Sequence, residues 1–268
     1  MIENKFQRLK DMIKDMGSLA VAFSGGVDST FLLKVAHDIL SDKCIAVTAR
    51  SSTYPLREFN EASAFAISEG ITHIIVDSEE LDIEGFAQNP INRCYFCKHE
   101  LFSKIWDVAW EKNIKNVADG SNIDDLGDFR PGMDAARDLK VVSPLKECEL
   151  TKDEIRILSK ALNLPTWDKP AFACLSSRFP YGNTITREKL QMVEKAEEFL
   201  RDMGFRQIRV RHHENIARIE VGANELSLML EIDKMKKIDL YLKGLGFAYV
   251  ALDMQGYRTG SMNEVINK

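Results

Sequence analysis

The chain has 268 residues, 45% of them hydrophobic and 29% charged, a balance that fits a soluble globular protein and excludes disordered, collagen-like and coiled-coil chains. No stretch approaches the ~18 apolar residues that a bilayer span requires, and residues 1–8 lack the apolar core of a secretory signal, so a cytoplasmic protein is expected. The net charge of −5 argues against a grip on long nucleic acid, whose affinity comes mainly from neutralised phosphates.

Residues 3–16 predict an amphipathic helix, with Phe6, Leu9, Met12, Ile13 and Met16 at three- and four-residue spacing. Residues 19–23 are wholly apolar, as a strand buried on both faces requires. The series continues with helix 28–40, strand 44–49, helix 56–69, strand 72–77, helix 95–112, strand 115–119 and a short strand at 140–143. Thr151 and Glu154 have capping-box spacing and open a helix that runs to residue 162. This alternation predicts an α/β fold with a doubly wound, mostly parallel sheet. Pro165, Pro170 and Pro180 break the rhythm, and a domain boundary is expected there, between 1–178 and 179–268. The second part reads as helix 186–203, strands 206–213 and 216–222, helices 224–231 and 234–244, and strand 247–253: a small α+β domain containing a hairpin. It carries 14 basic and 13 acidic side chains, so the acidic excess lies in 1–178.

The strongest chemical signal follows the first buried strand: Ser24-Gly25-Gly26-Val27-Asp28-Ser29-Thr30. Two glycines allow a tight turn that aims backbone N–H groups at an anion, and the next helix adds its positive end. Ser24, Ser29 and Thr30 supply hydroxyls, while Asp28 is an acceptor suited to nucleotide-borne magnesium. The Gly-Lys-Ser/Thr ending of a Walker loop is missing. A plain strand–helix turn with Ser29 as a cap is the bland alternative. The string resembles the signature of the PP-loop ATP pyrophosphatases, which implies cleavage of ATP between its α and β phosphates and adenylation of a substrate oxygen. Residues 119–125, Asp-Gly-Ser-Asn-Ile-Asp-Asp, followed by Arg130, also end a predicted strand. They supply Gly120, Asn122, Asp125 and Arg130 as further ATP-binding candidates, against the alternative of a polar loop with an Asx turn.

Five cysteines without a secretion signal argue for thiols or metal ligands over disulfides. Cys94 and Cys97 form a Cys-x-x-Cys at a helix start, and Cys174 follows the proline-rich break. Three thiolates leave one position open on zinc, or one iron of a [4Fe–4S] cluster without a protein ligand; unligated thiols remain the third option. Cys44 lies inside a predicted strand and reads as core, and Cys148 sits in an unrelated setting.

Together these motifs, with Cys-Leu-Ser-Ser-Arg-Phe-Pro-Tyr-Gly at 174–182 and the two runs at 209–213 and 216–221, resemble the LarE family over nearly the whole chain. That resemblance implies an ATP-dependent sulfurtransferase acting on a pyridinium-3,5-biscarboxylic acid mononucleotide, with a thiocarboxylate of the nickel-pincer cofactor as product. It assigns 1–178 as the PP-loop ATP pyrophosphatase domain and 179–268 as the substrate-binding and catalytic domain. One branch of the family donates the sulfur of the cysteine matching Cys174. The Cys-x-x-Cys resembles the other branch, in which Cys94, Cys97 and Cys174 hold a [4Fe–4S] cluster that carries sulfide. The resemblance also implies a homo-oligomer, up to a hexamer, and an outside source of sulfide.

Alternation places Gln207, Arg209, Arg211 and His213 on one strand face, with Arg218 and Glu220 joining them if the hairpin forms. A solvated ion-pair face is the bland reading. The resemblance instead implies that Arg209 and Arg211 hold the substrate phosphate, with Glu220 giving acid–base help and Arg178 neutralising the adenylate beside Cys174. Trp106 and Trp110 read as a helix face packed on the sheet, and Trp167 as core. Three other readings compete: a tRNA thiolation enzyme, an amidating PP-loop enzyme that uses ammonia, and a non-catalytic nucleotide-binding module. The charge disfavours the first, and an amidating enzyme has no need of three cysteines.

Overall fold

The computed structural model describes residues 2–125, 131–258 and 260–265. The chain divides into two compact units, one of Met1–Glu79 with Asn92–Phe172 and one of Glu80–Ile91 with Ala173–Lys268. No helix among the described residues is long and apolar enough to cross a membrane.

In the first unit, helices α1 (Ile2–Met16), α2 (Val27–Leu40), α3 (Leu56–Ser68), α4 (Arg93–Glu111), α5 (Pro131–Asp138), α6 (Pro144–Glu147) and α7 (Lys152–Ala161) surround four strands. The strands are β1 (Leu19–Ala22), β2 (Cys44–Arg50), β3 (Thr72–Asp77) and β4 (Val117–Ala118), all parallel, in the order β3-β2-β1-β4. Alternation along the strands explains why both faces are covered. Leu19, Val21, Cys44 and Ala46 pack with α1, α2, α3 and α7, whereas Ala20, Ile45 and Val47 pack with Phe102, Ile105 and Ala109 of α4 and Ala136 of α5. The expected doubly wound sheet is therefore present. The expected strand at 140–143 is reduced to a single parallel bridge between Ala118 and Val142. Helices α5 and α6 were not foreseen, because each opens on a proline in a stretch that reads as loop.

The strand order matters for function. The chain runs from β1 outward through β2 to β3, then returns to the other side of β1 as β4. The loops after β1 and β4 thus flank the point where the order reverses, the usual ligand crevice of an open α/β sheet.

The second unit holds α8 (Arg187–Asp202), β5 (Ile208–His213), β6 (Ile216–Val221), α9 (Leu226–Met229), α10 (Ile232–Gly244) and β7 (Tyr249–Leu252). The expected hairpin forms: β5 and β6 are antiparallel, and Glu214 takes a left-handed φ of 55° in the turn. Strand β7 runs parallel to β6 on its far side. Ala196 and Leu200 of α8 and Ile238 and Leu242 of α10 pack with Ile208, Val210, Ala217, Ile219 and Val221. Residues 80–91 belong to this unit although they precede α4 of the first unit in the chain. Asn89 ties them in: it is fully buried, and its amide donates to the carbonyls of Phe179 and Pro180.

Candidate active site

The loop after β1 is shaped by its small residues. Gly25 has a left-handed φ of 62°, and a Cβ there would meet the Ala62 Cβ at 2.9 Å. Gly26 has a φ of −78° and caps α2, so the turn needs only Gly25 for its backbone geometry. The Ser29 hydroxyl lies 3.1 Å from that of Ser24, accepts the Ser24 N–H and donates to the Gly26 carbonyl. Two further side chains hold loop carbonyls: the Tyr54 hydroxyl donates to Ser24 at 2.9 Å, and Lys169 Nζ donates to Gly25 at 3.1 Å. The loop's carbonyls are thus engaged by Ser29 of α2, by Tyr54 and by Lys169. Thr30, expected among the phosphate donors, has no exposed surface.

The loop after β4 presses against the first. A Cβ on Gly120 would lie 2.9 Å from the Ser29 nitrogen, a contact that only backbone movement could relieve. Asp119 accepts from the hydroxyls of Ser121 and Ser143, and Asp125 accepts the Asn122 N–H at 2.9 Å. The Asx-type bonds therefore exist, but the segment does more than turn, since Asn122 Nδ2 donates to Asp28 at 3.2 Å. Asp28 also forms an ion pair with Lys152 at the start of α7. Lys152, Lys169 and Tyr54 carried no sequence signal for this site. Arg130 lies outside the described residues.

Cys94 and Cys97 occupy the first two turns of α4 and are half-buried. Their i,i+3 spacing puts both thiols on one helix face. Cys44 and Cys148 are core residues, and burial pushes the Cys44 thiol up to about 12. Among the described residues, no three His, Cys, Asp or Glu side chains lie together as a metal-holding group.

Cys174 precedes a short 3-10 turn, Leu175–Arg178, in the second unit, and is half-buried. Its carbonyl accepts from the Ser177 N–H, the Ser177 hydroxyl and Arg178 Nη1. Arg178 has no exposed surface. Two of its nitrogens chelate Glu197 at 2.8 Å each, and the third also reaches the Ala173 carbonyl. This guanidinium fixes the backbone around Cys174. Its burial differs from the exposed position that contact with an adenylate would require.

The strand face bearing Arg209, Arg211 and Glu220 is buried, each residue being at most 5% exposed, so the solvated ion-pair reading does not hold. The register sets Arg209 opposite Glu220 and Arg211 opposite Arg218. Glu220 accepts from Arg211 at 2.7 Å and Arg218 at 2.9 Å, while Arg211 also donates to Ser261 and to the Ser177 carbonyl. Arg209 lies over the Tyr257 ring at 5.0 Å. Burial first, and the Arg178 charge second, push the Arg209 guanidinium below its ordinary value. Glu197 was missed, yet it interrupts the buried stripe Leu190, Val193, Ala196 and Leu200 of α8, and a carboxylate in such a stripe is a readable signal. Two tryptophan readings need correction. Trp106 donates to the Leu139 carbonyl and packs with the core, but Trp110 is 67% exposed one turn on. Trp167 is 37% exposed, with Lys160 over its ring, because the proline-rich turn carries it outside the core.

No family model matches the chain. It is similar over its whole length to an uncharacterized protein of Synechocystis, at 42% identity and with all of that protein covered. It is 36% identical, over 96% of its length, to the pyridinium-3,5-bisthiocarboxylic acid mononucleotide synthase of Lactiplantibacillus plantarum, covering 92% of that enzyme. The chain belongs to the LarE family. A more distant likeness, 26% identity over 75% of the chain and 69% of the relative, links this LarE chain to a subunit of the glutamine-hydrolyzing GMP synthase of Archaeoglobus fulgidus. That range of relatives makes the LarE chain an ATP-dependent enzyme.

The geometry of the two loops and of the buried pair can each be tested. Gly120→Ala forces the second loop off Ser29, and overpacking of this kind costs about 1–3 kcal/mol; ATP binding measured by calorimetry should weaken about tenfold or more. For Glu197, burial opposes ionisation, but Arg178, aided by Arg209 and Arg201, outweighs it and holds the carboxyl at about 2. A depressed carboxyl stabilises the fold above its unfolded value and loses that contribution as pH falls towards about 2. Glu197→Gln should cost about 3–5 kcal/mol at neutral pH in urea unfolding and should flatten the acid limb of the stability profile.

Proposed function

We infer that the protein adenylates a carboxylate of pyridinium-3,5-biscarboxylic acid mononucleotide with ATP and converts the adenylate into a thiocarboxylate for the nickel-pincer cofactor. The reading rests on the likeness to the synthase over 96% of the chain. The loop geometry supports it. A carboxylate is a poor electrophile until AMP becomes its leaving group, and the two abutting loops at the switch point suit the nucleotide that makes it one.

Ser24, Gly25, Gly26, Asp28 and Ser29, with Gly120, Asn122, Asp125 and Arg130, are the residues we assign to the ATP site, and Thr30, expected among them, is left out because it is fully buried. Asp28 is the residue that would meet magnesium, in competition with Lys152. Arg209 and Arg211 receive the mononucleotide phosphate: a buried guanidinium pressed by a like charge is relieved by an anion, and Arg209 is in that position. Glu220, flanked by two guanidinium groups, is better suited to holding Arg211 in place than to moving a proton. Arg178 positions the Cys174 backbone.

An iron–sulfur cluster is tested by its donor set. Thiols alone, two of them on one face of an N-terminal helical turn, fit a [4Fe–4S] group, and Cys94, Cys97 and Cys174 would hold it. When bound, the cluster supplies a sulfide nucleophile. The chain's own part is to fix the Cys174 backbone through Arg178 and Ser177.

Protein purified without oxygen should contain iron and acid-labile sulfide in equal amounts, and should convert the biscarboxylate mononucleotide to a product with sulfur in place of oxygen. Cys174→Ala should lose iron and product together. Full iron in that variant would remove Cys174 from the ligand set. Metal-free wild-type protein that turns over once would instead make Cys174 the sulfur donor.

A further inference from the structure

The phosphate loop, residues 24–30, has no cationic side chain of its own. The proposed adenylation nevertheless releases pyrophosphate, on which negative charge is concentrated. Among the described residues of the first unit, two ammonium groups touch the loop. Lys169 bonds the Gly25 carbonyl but is locked between Glu58 at 2.6 Å and Glu61 at 2.8 Å, with its side chain 15% exposed. Lys152 is twice as exposed, at 30%, and among the described residues it is paired with one carboxylate, Asp28 of the loop itself.

We propose that Lys152 binds the β- and γ-phosphates of ATP, its ammonium leaving Asp28 for the polyphosphate when nucleotide enters. The assignment rests on the adenylation reading and adds a residue to it. The surroundings suit such an exchange. Asp28 keeps the Asn122 amide as a partner after Lys152 departs, and Asn122 is itself buried and fixed by accepting the Asp124 N–H. The Lys152 backbone is anchored, its N–H donating to the Asp124 carboxylate at 2.7 Å, so only the flexible four-carbon stem has to move. In the reaction, a substrate carboxylate oxygen bonds to the α-phosphorus. The bond from that phosphorus to the α,β-bridging oxygen breaks, and its electron pair departs on pyrophosphate. Lys152 is the counter-charge to the leaving group. A lysine from a helix 124 positions away thus does what a Walker loop does with a lysine of its own.

The test titrates the full-length chain with ATP and with AMP, each with magnesium and with EDTA. A charge-assisted contact contributes about 1.5–3 kcal/mol, so Lys152→Met should weaken ATP binding by about 10- to 100-fold under both conditions. AMP, which lacks the β- and γ-phosphates, should bind the variant within about twofold of the wild type, and Lys152→Arg should recover most of the ATP affinity. Unchanged ATP binding overturns the proposal. So does an equal loss for ATP and AMP, which marks a merely structural lysine. A loss confined to the magnesium titration also overturns it, since Lys152 would then act through Asp28 and its metal. Wild-type protein that binds neither nucleotide rejects the adenylation reading itself, and the Lys152 assignment with it.

Discussion

The close approach of Gly120 to the backbone of Ser29 is the constraint on which the proposed nucleotide site depends. Strands β1 and β4 are neighbours in a parallel sheet, so the loops leaving their carboxyl ends must occupy the same space. They can do so only because one loop lacks a side chain at Gly120, where a Cβ would lie 2.9 Å from the Ser29 nitrogen. From that approach the polar arrangement follows: Asn122 comes within reach of Asp28, and Asp28 faces the first residue of α7. A sheet-level property, strand order, is thereby converted into a side-chain constellation.

The second unit solves a different problem. It buries charged groups, among them Arg178, Glu197, Arg209 and Glu220, and isolated burial of any one would be prohibitive. Pairing is the remedy, and the pairs are geometrically demanding: Arg178 chelates Glu197 through two nitrogens, and Glu220 bridges Arg211 and Arg218. Hydrophobic residues of similar volume would often be as stable. Retention of charge here is explained by the neighbours it organises, the Cys174 backbone on one side and a cationic strand face on the other.

Much of this was legible in the residues. A wholly apolar strand followed by small polar residues marks β1 and its loop, and the alternation of Arg209, Arg211, Arg218 and Glu220 predicts the shared face that the hairpin register produces. The capping box at Thr151 and Glu154 forms as its spacing requires. What stayed hidden depends on distance along the chain. The Lys152–Asp28 pair spans 124 positions and Lys169–Gly25 spans 144, and no local pattern announces either. The depth of burial was hidden too, because period-two alternation tells which residues share a face but not whether solvent reaches it. Trp110 shows the same limit on a helix: four-residue spacing pairs it with Trp106, but the helix turns it outward.

The central claim is that ATP is cleaved between its α and β phosphates to activate a carboxylate of a pyridinium mononucleotide. The most direct measurement is the nucleotide product, followed by phosphorus NMR, when the protein meets ATP and magnesium with and without the biscarboxylate mononucleotide. The account predicts AMP and pyrophosphate in equal amounts, released only with the mononucleotide present. ADP and phosphate, or release indifferent to the mononucleotide, would contradict it.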